Sequence, residues 1–164
     1  MRHLLRHTLP CLLASSLCSW AFVLALPHLF SGCGDEDSGA GPSFNFRDLG
    51  DGTVLETRTG LVWQQQDDET TRIWRQAREY CTELELAGFT DWRLPEREEL
   101  GTIVDLANFN PAVNLGFFPS TKPEPYWTST QVEEYAGYSW YVHFGDGSEH
   151  YGSRTSVYLA RCVH

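Results

Sequence analysis

Alternation of apolar and polar positions is plainest near the C-terminus. Over residues 138–144, Trp140, Val142 and Phe144 fall on one face of an extended strand, expected to face inward, with Tyr141 and His143 on the other, expected to face out. Gly145-Asp146-Gly147 marks a hairpin turn, and 148–153 returns as the partner strand. Residues 126–131 and 157–163 read as two further strands. Upstream the period changes. Ile73, Trp74, Ala77, Tyr80, Cys81 and Leu84 recur mainly at steps of three and four, the buried stripe of a helix capped by Thr70 or Thr71 and stopped by Gly88. Leu100, Ile103, Val104 and Ala107 predict a second helix over 95–108, with Glu96, Glu98 and Glu99 near its positive N-terminal end. Between the two stripes stands Trp92-Arg93-Leu94-Pro95. Pro95 holds Leu94 extended and suits the first turn of the following helix. Trp92 and Leu94 then share one face, expected to be core, and Arg93 takes the other as a structural ion-pairing residue.

The N-terminal half of the folded region has weaker punctuation. Residues 44–48 read as a first strand, Asp51-Gly52 as a turn, and 53–56 with 61–64 as a hairpin around Arg58-Thr59-Gly60. Asp67-Asp68-Glu69 reads as a solvated acidic loop, since calcium needs about six to eight oxygens arranged around it. Residues 109–125 carry Pro111, Gly116, Pro119, Pro123 and Pro125 and predict an irregular connection whose Phe109, Phe117 and Phe118 tuck under to cover the core. Antiparallel strands with two helices and no internal repeat make an α+β chain: two helices packed on a curled antiparallel sheet.

The first forty residues change the picture of where this domain works. Arg2 and Arg6 precede an uncharged run over 9–30 and then Leu29-Phe30-Ser31-Gly32-Cys33, the pattern of a lipoprotein signal peptide (1–32) with Cys33 as the lipidated residue. An uncleaved membrane anchor is the alternative, the run being just long enough to span a bilayer. Residues 33–43 are rich in Gly, Ser and acid and read as a flexible tether, leaving 44–164 as the domain. The location expected is the periplasmic or surface side of a bacterial cell envelope. Removing 1–32 leaves 10 basic against 22 acidic residues, a net charge of −12. That balance argues against nucleic acid and anionic lipid as partners. Of the remaining cysteines, Cys81 and Cys162 form an even pair in an oxidising compartment, read as a disulfide, with two buried free thiols as the alternative.

Candidate chemistry is sparse. The chain has no Gly-x-Ser-x-Gly, His-Glu-x-x-His, phosphate-binding glycine loop or Cys-x-x-Cys. His143, His150 and Asp146 would make a thin zinc site, and exposed strand residues are the plainer reading, so neither metal nor cofactor is expected. Tyr135, Tyr138, Tyr141, His143, His150, Tyr151 and Arg154 gather on or beside the 138–153 hairpin. They form a candidate recognition surface, since rings with polar tips combine apolar area with a hydrogen-bonding handle. The expectation is a non-enzymatic module that binds a polysaccharide or an envelope protein. The alternatives are a structural envelope component and an enzyme working through carboxylates.

Several words together, GDGTVLETRTGLVWQ (50–64), Tyr80-Cys81, AGFTDWRLPEREEL (87–100), YWTST (126–130, with Trp127) and ARCV (160–163), resemble the Lcl C-terminal domain family of bacterial exported proteins. The resemblance implies a C-type lectin-like fold in which a first-helix cysteine pairs with one on the last strand, the positions of Cys81 and Cys162. It also implies polysaccharide binding, which in the adhesin that gives the family its name goes with a trimeric collagen-like stalk; this chain has no Gly-X-Y repeat. The calcium words of sugar-binding relatives of that fold are absent, and little room lies between Gln131 and Tyr138, so a compact form without the long calcium loop is expected.

Overall fold

The computed structural model describes residues 45–164. The expected signal peptide 1–32, the lipidation candidate Cys33 and the tether 33–43 lie outside the described residues, as does Phe44. The chain runs β1 (Phe46–Asp48), β2 (Thr53–Glu56), β3 (Val62–Gln64), β4 (Arg72–Ile73), α1 (Trp74–Glu83), α2 (Arg97–Gly101), β5 (Pro125–Gln131), β6 (Tyr138–His143), β7 (Ser148–Ser153) and β8 (Val157–Tyr158). This is an α+β arrangement. Instead of one curled sheet, the antiparallel strands divide into β1-β2-β3, β4-β8 and β5-β6-β7. Isolated bridges stitch them together, among them Tyr126 to Leu159 and Trp63 to Val163.

The C-terminal segment is the seam. Cys162 is bonded to Cys81 of α1, with Cα atoms 5.4 Å apart. On one side the segment pairs with β3: the Gln64 amide donates to Cys162 O (3.0 Å), and Val62 and His164 exchange two bonds of 3.0 and 2.9 Å. On the other side Val163 exchanges two bonds with Arg93, both 2.9 Å. Trp92-Arg93-Leu94-Pro95 is thus an extended stretch laid against the C-terminal segment, which follows β8 and, unlike the strand expected over 157–163, is strand only at Val157–Tyr158. The alternation puts Trp92 and Leu94 in the core, 1% and 3% exposed. Arg93 faces outward and grips Glu99 with two bonds, Nη1 to Oε2 at 2.7 Å and Nη2 to Oε1 at 2.6 Å. Arg93 holds the Glu99 carboxyl below the usual carboxylate range. The same carboxylate accepts the Glu96 amide and closes a capping box at the start of α2.

Two clusters flank the β5-β6-β7 sheet. Tyr126, Val142 and Phe144 join Val54, Trp63, Leu100, Ile103 and Phe118 on one side. Trp127 joins Trp74, Ala77, Cys81, Trp92 and Leu94 on the other. Consecutive residues Tyr126 and Trp127 therefore enter different cores, as strand geometry requires. The indole N–H groups of Trp74 and Trp127 donate to Thr128 O (2.8 Å) and Arg72 O (2.9 Å), which ties α1 to β5 and β4 to the same sheet.

The helices are shorter than their stripes predict. Thr70 and Thr71 do not cap α1; it starts at Trp74, whose amide donates to Arg154 O (3.2 Å), because Arg72 and Ile73 are drawn into β4 against Val157 and Tyr158. It ends at Glu83, and Gly88 sits in a later tight turn with Ala87, both at positive φ. The helix expected over 95–108 keeps only Arg97–Gly101. Ile103 stays in the turn that ends the helix, and Val104 then bridges Val113, with the Asp105 amide donating to Ala112 O (2.9 Å). Ile103 stays buried through this change, but Ala107 is exposed. Phe118 is fully buried and Phe117 packs partly under it, whereas Phe109 is 80% exposed and covers nothing.

Trp92 fills the second core beside the disulfide, so Trp92→Ala should lower unfolding free energy by about 3–5 kcal/mol through lost burial and a residual cavity. The shift of the urea midpoint measures it, and an unchanged midpoint would place Trp92 outside the load of that core.

Candidate functional site

Register in the β6–β7 hairpin sorts the candidate residues onto two faces. Trp140 stands opposite Tyr151, and Tyr141 opposite His150. On the Trp140 face, three tyrosines form a triangle. Tyr135 lies 5.7 Å from Tyr151 with near-parallel rings, and Tyr138 lies 6.1 and 6.2 Å from these two at steep angles. Trp140 closes against Tyr151 edge-on at 5.5 Å. Tyr135, Tyr138 and Tyr151 are 53%, 39% and 46% exposed. A flat group slotted between two ring faces needs about 7–8 Å, twice an optimal contact of about 3.5–4.0 Å. These rings are closer than that, so the cluster is a packed platform over which a ligand lies, not a cage into which it enters.

Arg97 completes this face. Its guanidinium sits 4.5 Å from the centre of the Trp140 ring and bonds Glu98 (2.7 Å), with Glu149 of β7 at 3.4 Å. Its amide donates to Thr130 Oγ1 of β5 (2.9 Å), which fixes α2 against the sheet. Trp140, expected inward, is therefore only partly buried, under a cation. Sequence reasoning left Trp140 and Arg97 out of the candidate surface, and alternation from Tyr138 was the signal that could have found Trp140.

The other face does not join the platform. Tyr141, expected outward, is half-buried: its ring lies 4.7 Å from Tyr158 and 6.3 Å from Trp127. Burial, reinforced by the Tyr158 hydroxyl, pushes its phenol above the usual range. The correction has a plain cause, since β4-β8 and α1 cover that side of the sheet. Arg154 stacks over Trp74 (4.4 Å) and donates to Ser139 Oγ (2.8 Å) and Tyr138 O (3.1 Å), a structural use of its charge. His143 accepts the Gly145 amide through Nδ1 (3.0 Å), and His150 meets Ser148 Oγ (3.0 Å). Among the described residues no three His, Cys, Asp or Glu side chains are grouped to hold a metal ion. A cleft of about 330 Å³ lies elsewhere, where Lys122 and Glu69 pair at 2.6 Å beside Tyr158 and Leu159.

In a comparison of sequences, residues 52–164 match the family model of the Lcl C-terminal domain. The chain belongs to that family. No curated protein matches it.

This Lcl C-terminal domain also hides a charge that its sequence did not advertise. Arg161 and Asp67 have side chains 0% and 1% exposed and pair at 2.7 Å. Arg161 also donates to Gln64 O (2.8 Å), Gln65 O (2.6 Å) and Thr121 Oγ1 (2.8 Å), and lies 5.0 Å from the Phe118 ring. Asp67, read above as part of a solvated loop, accepts the Tyr126 hydroxyl (3.0 Å) as well. Burial and the Asp67 carboxylate push the Tyr126 phenol far above its usual range. A second buried carboxylate, Glu56, accepts Thr102 Oγ1 (2.8 Å) and Trp63 Nε1 (3.3 Å). Glu56 Oε1 and Arg161 Nε are buried without a hydrogen-bond partner, and none of these groups belongs to the exposed platform.

Removing one partner of the buried pair strands the other, so Asp67→Leu should cost about 3–5 kcal/mol. Asp67→Leu with Arg161→Met should recover much of that loss. Thermal and urea denaturation of the single and double variants checks the coupling, and strictly additive losses would contradict it.

Proposed function

We propose that this domain is an exported, non-enzymatic recognition module, tethered to a membrane through lipidated Cys33, that binds a glycan or protein ligand without calcium. The observation that carries the reading is the exposed platform of Tyr135, Tyr138 and Tyr151 backed by Trp140 and Arg97. Packed rings are held in one geometry before a ligand arrives, which lowers the ordering cost of binding. The buried ionisable groups are engaged in structural pairs, which favours a binding role over acid–base catalysis. We read the architecture as a compact C-type lectin-like fold. Its support is the bond from α1 to the C-terminal segment and the short passage from β5 to β6 over residues 132–137.

Glycan arrays and envelope-protein pull-downs with the wild-type chain identify the ligand class. Changing Tyr135, Tyr138 and Tyr151 together to Ala should lower affinity by about tenfold or more, as truncation of central aromatics does, while circular dichroism stays native. Unchanged affinity in a folded triple variant would move the site off this platform. The tether has its own test. Cys33→Ala should accumulate as the unprocessed precursor, and mass spectrometry of the wild-type chain should find a lipid-modified N-terminus at Cys33; a mature chain beginning elsewhere without lipid would refute the anchor.

A further inference from the structure

The connection between Ile103 and β5 is unusual in composition. From Leu106 to Thr121 it carries no charged residue, in a chain with 22 acids and 12 bases. Part of this run is core, with Ala112, Val113 and Phe118 buried. The rest turns outward: Leu106 is 78% exposed, Phe109 80% and Leu115 46%. Between these side chains stand only Ala, Asn, Pro and Val. The loop is held in place despite its exposure. Asp105 caps it by accepting the Ala107 amide (3.0 Å) and the Asn108 side-chain amide (2.7 Å). The Asn110 amide donates to Gly145 O (3.1 Å), and Ala112 to Phe144 O (2.6 Å), pinning the loop to the end of β6 and the turn after it. Gly147 in that turn has φ +78, and a Cβ there would lie 2.6 Å from Val104 and 2.9 Å from Leu106, so only glycine lets the turn close over the loop.

We propose that this loop is a membrane-contacting surface, with Leu106, Phe109 and Leu115 seated in the interfacial region of the bilayer that carries the lipid anchor. The inference rests on the anchor at Cys33 proposed above, and not on the ligand platform. Only residues 34–44 separate Cys33 from Asn45, and a segment of that length and composition reaches about 15–20 Å. The chain enters the domain beside this run: Phe46 packs on Phe117 and Phe118, with ring centres 5.8 and 5.4 Å apart. A bilayer within that reach is the apolar surface nearest to hand. It excludes charge, as the run does, and favours backbone groups already bonded within the protein, as the Ala107, Asn108, Asn110 and Ala112 amides are. The loop has no lysine or arginine to seek anionic headgroups, so the occupant is the neutral headgroup and acyl boundary, and contact is insensitive to salt.

The test uses the full chain, processed by a bacterial host and reconstituted in phosphatidylcholine vesicles. Cys11 and Cys18 are changed to Ser, and one cysteine is placed at Ala107 or, as a control, at exposed Glu134; the chain with no added cysteine gives the labelling background. An environment-sensitive dye at Ala107→Cys should show blue-shifted emission and several-fold stronger quenching by lipid-borne nitroxides than at Glu134→Cys, unchanged in high salt. Adding Leu106→Glu and Phe109→Glu, both at largely exposed sites, should return the Ala107 label to water without releasing the chain from the vesicles. If the chain stays on the vesicles but the Ala107 label is as water-accessible as the Glu134 one, the loop does not touch lipid and the anchor stands. A label that remains quenched in the glutamate variant also overturns the proposal. A chain that does not associate with vesicles at all removes the anchor and this inference together.

Discussion

The Arg161–Asp67 pair is the constraint on which the rest of the molecule depends. A guanidinium fully removed from water must be surrounded by acceptors, and the acceptors come from distant parts of the chain. Gln64 ends β3, Gln65 and Asp67 follow it, and Thr121 lies late in the long connection before β5. Tyr126 joins through Asp67. Arg161 therefore brings the two least regular stretches of the domain to one point. Its neighbours in sequence complete the join: Cys162 is bonded to α1, and Val163 lies between Trp63 and Arg93. Replacing such a pair with apolar residues often leaves stability unchanged. What the ionic version enforces is geometry, because each acceptor has to sit at one distance and angle from a planar fork.

That geometry positions the platform indirectly. With the terminal seam fixed, β5 is held between two cores, and β6 follows it with both faces covered for most of its length. Only the end nearest Tyr138 runs past the covering elements. The rings of Tyr135, Tyr138 and Tyr151 emerge there and pack on one another because no helix remains to pack on them. Arg97 marks the boundary: α2 ends its reach at Trp140, and the guanidinium lies over that ring.

The strands, the β6–β7 turn and the extended WRLP stretch were readable because each depends on local periodicity or on a proline. The errors cluster where tertiary pairing overrode a local signal. The apolar spacing of Ile103 and Val104 fits a helix, but a β-branched residue suits a bridge as readily, and the fold pairs Val104 with Val113. Alternation put Val142 and Phe144 inward, and both are buried; Trp140 and Tyr141 depart from it because each is only partly covered, Trp140 where α2 stops short and Tyr141 where Tyr158 packs on it. Asp67 looked like one of three solvated acids. Nothing within ten residues of it indicates an arginine ninety-four positions away. Phe109 was assigned to the core on its size alone, while its neighbours are asparagine and proline, which turn the chain without burying it.

The two exposed surfaces share one hairpin and lie at its opposite ends. The β6–β7 turn, Gly145 to Gly147, closes over Leu106 and bonds Asn110, while Tyr138 stands opposite Ser153 at the far end of the ladder. From Tyr138 to His143 a strand advances about 3.3 Å per residue, so the platform and the apolar loop are set apart by roughly 17 Å along a rigid ladder. A domain whose loop rests on the bilayer then presents its tyrosines away from it, toward whatever lies beyond. If the loop rests on lipid as proposed, that second contact, next to the chain's entry at Phe46, would limit the domain's motion to rotation about the line joining the two contacts. The spacing of the hairpin thus couples the loop's job to the platform's: a substitution that frees the loop should weaken ligand capture at the membrane without changing affinity in solution.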